Sequence, residues 1–290
     1  MHLVSEHDRV SDITGKWRSE GLSVGFVPTM GALHQGHLSL VRDARRRCDR
    51  VVVSIFVNPM QFGPGEDFDR YPRNLHQDCE LLRTQGADLV FAPTPQTVYP
   101  TGFSTFVEVQ RLASGLCATA RPGHFRGVST VCCILFNMVR PSVAVFGEKD
   151  YQQLVIVRRM VEDLRMNLKV IASPTVRETD GLAMSSRNAY LSTEERKQAA
   201  CLYRSLKTAA DGASAGVTDT AALKAMAIDV LSGAPLLSLS YIETVDPETL
   251  EPVERLDSPL RLVAAVQAGN TRLIDNIPVF PPGLPRRKEC

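Results

Sequence analysis

The chain has 290 residues, with 33 Lys and Arg against 32 Asp and Glu, a formal net charge of +1, 44% apolar and 22% charged side chains. That balance suits a globular protein of one or two domains and argues against a dedicated nucleic-acid binder, which carries a basic excess. No apolar run nears the ~18 residues of a membrane span, and the polar, acidic start Met1-His2-Leu3-Val4-Ser5-Glu6-His7-Asp8 is unlike a signal peptide.

Residues 22–27 are short and apolar enough for a buried strand. The stretch Pro28-Thr29-Met30-Gly31-Ala32-Leu33-His34-Gln35-Gly36-His37 leads from it into an amphipathic helix. Leu38, Val41, Ala44 and Cys48 face inward there, and Arg45-Arg46-Arg47 is a solvated face. Residues 51–57 form a β-branched run suited to burial on both faces, the mark of a parallel sheet. Asn58-Pro59 stops it, and a loop rich in Gly and Pro follows over 61–68. A helix over 75–85, a strand over 88–92 and an edge strand over 105–109 come next. The helix 127–139 stops at Pro141, and the strand 142–146 runs into Gly147-Glu148-Lys149-Asp150. Leu154, Val157, Val161 and Leu164 then mark the apolar face of a helix before a strand over 168–172. Strands alternating with helices predict a doubly wound parallel α/β sheet, with the ligand crevice at the carboxyl ends of the strands.

The pattern changes after Val176. Helices are expected over 192–213, entered through the capping box of Ser192 and Glu195, and over 218–232. Strands follow over 237–245, 253–256 and 260–266. The division predicted is a catalytic domain over 1–175, a smaller C-terminal α+β domain over 176–280, and a disordered tail over 281–290. The seven cysteines, odd in number and without a CxxC pair, read as reduced buried thiols of a cytoplasmic protein.

The chemistry concentrates where strands end. Two imidazoles three residues apart, His34 and His37, stand where a strand turns into a helix. A helix N-terminus offers unpaired N–H groups and partial positive charge, which suits a phosphate. Gly31 and Gly36 let a ligand approach the backbone closely. Imidazoles there can stabilise charge that builds up during reaction. A metal is the weaker reading, because no Cys, Asp or Glu lies nearby to complete a zinc site. Lys149 sits in a turn at another strand end, and Met184-Ser185-Ser186-Arg187-Asn188 sets two hydroxyls beside a guanidinium, a phosphate-binding combination. Gln61 and Gln153 can fix hydroxyls or a carboxylate. Each group alone reads equally as polar surface. Together they would surround a triphosphate with donors, without a Walker loop or GxGxxG. The set fits attack at the α-phosphate of ATP with pyrophosphate leaving.

Several blocks in order carry a resemblance. They are residues 28–37, Phe56-Val57-Asn58-Pro59-Met60-Gln61-Phe62, Arg121-Pro122-Gly123-His124-Phe125-Arg126-Gly127-Val128, residues 146–154, residues 180–188 and Thr271-Arg272-Leu273-Ile274-Asp275-Asn276. The chain resembles the pantoate–β-alanine ligases, or pantothenate synthetases, of the HxGH nucleotidyltransferase superfamily. The resemblance implies a Rossmann-like domain with a C-terminal lid, usually a homodimer. It implies condensation of (R)-pantoate with β-alanine to pantothenate, the vitamin B5 precursor of coenzyme A, using ATP and Mg²⁺ and releasing AMP and pyrophosphate. ATP contacts would come from Met30, Gly31, Ala32, Leu33, His34, Gln35, Gly36 and His37, from Gly147, Glu148, Lys149 and Asp150, and from Val176, Met184, Ser185, Ser186 and Arg187. His37 matches the catalytic histidine. His34, Lys149, Ser185, Ser186 and Arg187 would assist it on the phosphates. Gln61, Gln153 and Asn58 would hold pantoate, with Gln61 also touching β-alanine. Asp78, with Glu80 near it, is the candidate Mg²⁺ ligand, and the ATP phosphates are the alternative holder. Cys132-Cys133-Ile134 stand where the family often has Val. Rival readings are another HxGH enzyme, such as a cytidylyltransferase, and a non-catalytic ATP-binding or RNA-binding relative.

Overall fold

The computed structural model describes residues 1–283; residues 284–290, which make up most of the expected tail, lie outside the described residues. Packing divides the chain into two units, Met1–Glu148 with Gln152–Ser173, and Lys149–Tyr151 with the chain from Pro174 on.

The first unit opens with a short strand β1 (His2–Val4) and helix α1 (His7–Ser19), neither evident in so polar a stretch. Then come β2 (Val24–Thr29), α2 (Gln35–Arg47), β3 (Arg50–Ile55), a 3-10 turn (Pro59–Gln61), α3 (Leu75–Thr84) and β4 (Leu89–Phe91). Two single-turn helices, α4 (Pro95–Val98) and α5 (Cys117–Ala120), precede α6 (His124–Val139), β5 (Val143–Gly147), α7 (Tyr151–Asp163) and β6 (Lys169–Ser173). The strands form one parallel sheet in the order β1-β4-β3-β2-β5-β6. This is the Rossmann-like doubly wound α/β sheet that the alternation of strands and helices predicts.

The central strands β2 to β5 are buried on both faces, as their apolar runs require. Val27, Val53 and Val90 pack with Leu38, Val41 and Leu82 on the side of α2 and α3. Phe26 meets Phe136 of α6 edge-on at 6.1 Å from the other side. Burying each such side chain stabilises the fold by roughly 1.5–3 kcal/mol. The chain builds outward from β2 through β3 to β4, then returns to place β5 on the other side of β2. The strand order therefore reverses between β2 and β5, where ligands bind in open α/β sheets. The loops that leave these two strands carry residues 28–37 and 147–150.

Residues 105–109 are not a strand. Helix α6 holds this segment instead: Val107 N–H donates to Thr130 Oγ1 at 3.0 Å, and the Arg126 guanidinium lies 3.9 Å from the centre of the Phe106 ring. Leu164 falls beyond the end of α7 and is exposed rather than part of its apolar face.

In the second unit a 3-10 turn (Ser186–Tyr190) is followed by α8 (Thr193–Ala199), α9 (Cys201–Ser214) and α10 (Thr220–Ser232). The single helix expected over 192–213 is broken at Ala200, whose ψ of −19° departs from the helical value. The Ser192–Glu195 capping box is present. Strands β7 (Leu237–Val245), β8 (Leu260–Ala268) and β9 (Thr271–Val279) form an antiparallel sheet in that order. Residues 253–256 do not supply a strand. Isolated bridges at Val245–Pro252 and Asp219–Arg255 take up this segment. The third strand is β9, which carries the 271–276 block. Gly269 makes the tight β8–β9 turn at φ +53°, and a Cβ there would lie 2.0 Å from Glu195 Oε1. The core of the unit packs Leu202, Leu206 and Leu223 of α9 and α10 on Leu262, Ala264 and Val266 of β8. No helix of the described residues is long and apolar enough to cross a membrane.

Candidate active site

The β2–α2 loop is shaped by Asp78 of α3. The chain turns through left-handed conformations at Gly31 (φ +82°) and Ala32 (φ +50°). That aims two successive N–H groups at one carboxylate: Ala32 N–H donates to Asp78 Oδ2 at 3.0 Å, and Leu33 N–H to Oδ1 at 2.8 Å. A Cβ on Gly31 would lie 2.9 Å from Asp78 Oδ2, so glycine is required there on both conformational and steric grounds. Asp78 is buried, and burial pushes its carboxyl above the usual carboxylate range, against the pull of the two N–H bonds.

His34 is the N-cap of α2, a place usually held by Ser, Thr, Asp or Asn. Its Nδ1 accepts Gly36 N–H at 3.1 Å, and His37 Nδ1 accepts His34 N–H at 3.4 Å, a capping box built from two imidazoles. The rings lie 4.0 Å apart, tilted by 35°. The N–H groups of His34 and Gly36 at the helix start are thus taken up by the imidazoles. An Nδ1 that accepts has no proton, so a neutral ring carries its proton on Nε2.

The 3-10 turn after β3 holds Gln61 and Asn58, both buried. Gln61 Nε2 donates to Met30 Sδ at 3.0 Å, and Gln61 Oε1 accepts from Asn58 Nδ2 at 3.1 Å. Asn58 Nδ2 also donates to Gly127 O at 3.1 Å, while Asn58 Oδ1 accepts Met60 N–H at 3.2 Å and the Tyr99 hydroxyl at 2.7 Å. All four hydrogen-bonding positions of Asn58 are thus occupied within the protein. Helix α6 comes so close that a Cβ on Gly127 would lie 2.3 Å from Met60 O.

Above this turn Arg121 makes a bidentate pair with Glu66, at 2.7 and 2.6 Å. His124 Nδ1 stands 2.7 Å from Gln61 O and therefore donates, which leaves Nε2 to accept Arg121 Nη1 at 3.0 Å. Burial pushes the Glu66 carboxyl up, but Arg121 pulls it further down, below its ordinary value. These three residues, which sequence reasoning left without roles, tie the 61–68 loop down. In α7 the buried Gln152 does similar work, bonding Cys117 N–H and Leu112 O. The predicted Gln153 beside it is half-buried and makes no side-chain hydrogen bond among the described residues.

The second unit presents the other predicted donors. Lys149 Nζ lies 3.8 Å from Asp150 Oδ1, and Lys149 O accepts Asn276 Nδ2 at 2.9 Å. Val176 O accepts Met184 N–H at 3.0 Å, so residues 176–184 close a small loop that delivers Ser185, Ser186 and Arg187. Ser185 caps their 3-10 turn by accepting Arg187 N–H at 3.3 Å. Asn188 anchors the turn to Glu178 Oε1 and Ala183 O, both at 3.1 Å. Beneath it Arg177 forks onto the buried Asp275 at 2.6 and 2.9 Å, with its guanidinium 4.0 Å from the centre of the Tyr203 ring.

Among the described residues no cluster of three or more His, Cys, Asp or Glu could hold a metal. Asp78, the candidate Mg²⁺ ligand, has one backbone N–H on each carboxylate oxygen, and each oxygen keeps a second lone pair. Glu80 is exposed and paired with Arg83. The cysteines Cys48, Cys79, Cys117, Cys132, Cys133 and Cys201 are unbridged thiols, and burial pushes Cys132 up to about 12.

Residues 2–278 match the family model described as pantoate-beta-alanine ligase. A pantothenate synthetase of Heliobacterium modesticaldum is 53% identical over 96% of this chain and 99% of its own length. The crystal structure of pantothenate synthetase from Thermus thermophilus superposes with a TM-score of 0.91 at 47% identity, covering 97% of this chain and all of that one. A pantoate-beta-alanine ligase from Francisella tularensis, solved with Beta-gamma ATP and Beta-alanine, gives 0.79 at 34% identity over 96% and 97%. A sheet that reverses at β2 and β5, an imidazole-capped helix after β2 and full-length similarity of this order place the chain in the pantoate–β-alanine ligase family.

Proposed function

We propose that the chain joins pantoate to β-alanine in two steps, with pantoyl adenylate between them. In the first, the pantoate carboxylate attacks the α-phosphorus of ATP and pyrophosphate leaves. That oxygen is already ionised, so no base is needed. In the second, the neutral amine of β-alanine attacks the acyl carbon, AMP leaves and the amine loses a proton. The observation that supports this reading is the pair of imidazoles at the start of α2 whose Nδ1 atoms accept backbone N–H groups, which leaves the proton of each neutral ring on Nε2. His37 and His34, with Lys149, Ser185, Ser186 and Arg187, stabilise charge on the phosphates and on the departing pyrophosphate. Gln61 and Gln153 hold pantoate, and Asn58 acts through Gln61 rather than on the substrate. Mg²⁺ would come with the ATP phosphates and neutralise their charge, and Asp78 would be the side chain to hold it, having a lone pair left on each oxygen. The buried, unbridged thiols favour a cytoplasmic enzyme, and the family resemblance favours a homodimer.

The test is AMP release from ATP with Mg²⁺ and pantoate, with and without β-alanine, on wild type and His37→Ala. β-Alanine-dependent AMP release that falls ~10²–10³-fold in the variant supports the reading. Turnover indifferent to pantoate sinks it.

A further inference from the structure

The amide of Gln61 is held by a chain of groups whose roles follow one from another. Met60 N–H can only donate, and Gly127 C=O can only accept. Asn58 meets the first with Oδ1 at 3.2 Å and the second with Nδ2 at 3.1 Å, which leaves its buried amide one orientation. The Tyr99 hydroxyl, 2.7 Å from the same Oδ1, therefore donates. The second Nδ2 hydrogen of Asn58 goes to Gln61 Oε1 at 3.1 Å, and this turns Gln61 Nε2 onto Met30 Sδ at 3.0 Å. Both hydrogens and both lone pairs of Asn58 are used. Gln61 keeps one N–H and one lone pair, in fixed places.

We propose that Tyr99 and Asn58 are positioning residues that set the polarity of the Gln61 amide toward pantoate. The proposal rests on the reading of Gln61 as a pantoate contact. Tyr99 is suited to the task. Its ring meets Phe103 edge-on at 5.0 Å and Phe56 at 6.2 Å, so the hydroxyl is aimed by packing. Burial pushes its ionisation up, so it remains a donor. Removing the hydroxyl leaves that packing in place but takes away one of the two bonds on Asn58 Oδ1. The amide chain then loosens at its far end, where Gln61 meets the substrate.

The experiment is steady-state kinetics on wild type, Tyr99→Phe, Gln61→Ala and the double variant, with KM read separately for pantoate and for ATP. Tyr99→Phe is expected to raise the pantoate KM ~3–10-fold, as loss of one hydrogen bond would, and to leave the ATP KM within about twofold. In the Gln61→Ala background the same change should add nothing, because its route to the substrate is gone. Additive effects in the double variant, or equal rises in both KM values, would overturn the proposal and leave Tyr99 a packing residue. An unchanged pantoate KM in Tyr99→Phe, beside normal wild-type turnover, overturns this inference alone. Wild type without pantoate-dependent turnover overturns the functional reading and this inference with it.

Discussion

Asp78→Asn separates the shape of the β2–α2 loop from the stability of the fold. The substitution keeps the size of the side chain and turns one acceptor oxygen into a donor. One of two N–H groups, on Ala32 or Leu33, must then face an amide NH₂ across about the 3.0 or 2.8 Å now bridged. Stranding a buried N–H costs ~1–3 kcal/mol. A second effect works the other way. The carboxylate is buried, and burial raises its pKa despite both hydrogen bonds. A pKa raised in the fold means that this group favours the folded state below its unfolded value, and that the contribution is lost as pH rises through the folded value. At neutral pH the buried anion is therefore a cost to the fold, and asparagine escapes it. The two effects offset one another in stability but not in the loop, where the aim of His34 and His37 depends on both acceptors. Thermal unfolding should move by only ~2–4 °C, the shift expected for about 1 kcal/mol. If the full ~1–3 kcal/mol appears in the transition state, kcat/KM for ATP falls ~5–150-fold. The assay is AMP release beside thermal unfolding, each over a Mg²⁺ series. Unchanged kcat/KM would refute the bracing argument. A requirement for more Mg²⁺ at fixed ATP would make Asp78 a metal ligand as well.

Gly127→Ala drives a Cβ to 2.3 Å from Met60 O and 2.8 Å from Gln61 N. Helix α6 and the Asn58–Gln61 turn must then separate. The loss should be ~1–3 kcal/mol, seen as a lower denaturation midpoint at constant slope and a raised pantoate KM; an unmoved midpoint would show that the turn yields freely. Glu66 should titrate below the ordinary glutamate range, because Arg121 outweighs burial. A depressed pKa contributes stability above the unfolded value and loses it as pH falls through the folded one, so the Glu66–Arg121 pair should persist through neutral and mildly acid solution. Side-chain ¹³C titration checks this: Arg121→Gln should raise the Glu66 midpoint, since only the Gly63 backbone and His124 then oppose burial, and a midpoint that does not move would refute the assignment.

The sheet was legible because its strands are buried on both faces, and such strands are unbroken apolar runs. Residues 51–57 and 142–146 could hardly be read otherwise. Strand β9 was hidden for the opposite reason. It buries Asp275 and Asn276, which satisfy Arg177 and Lys149 O, so its pattern is neither alternating nor continuous. Residues 253–256 show the converse error. They read as a short strand, but their backbone partners lie on different segments: Val253 N–H goes to Thr244 O and Leu256 N–H to Thr218 O. Residues 105–109 likewise have strand composition but bond to a threonine side chain of α6.

At the site, residue types announced the chemistry and spacing located it, but neither assigned roles. His34 and His37 were read as phosphate ligands beside open backbone N–H groups, and the structure shows that their Nδ1 atoms consume N–H groups of that backbone. Asp78 lies 45 residues from its partner Leu33, and Asn58 lies 69 residues from Gly127. No local pattern encodes such pairs. The family resemblance implies a pantoate contact for Asn58 and a candidate Mg²⁺ ligand in Asp78, and neither role is separable in sequence from that of a brace. The distinction rests on counting hydrogen-bonding capacity. Asn58 has every donor and acceptor position occupied and Asp78 binds two backbone N–H groups, whereas Gln61 keeps one donor and one acceptor. Loops that leave parallel strands need both kinds of residue, because a loop positions reactive groups only as firmly as buried groups hold it.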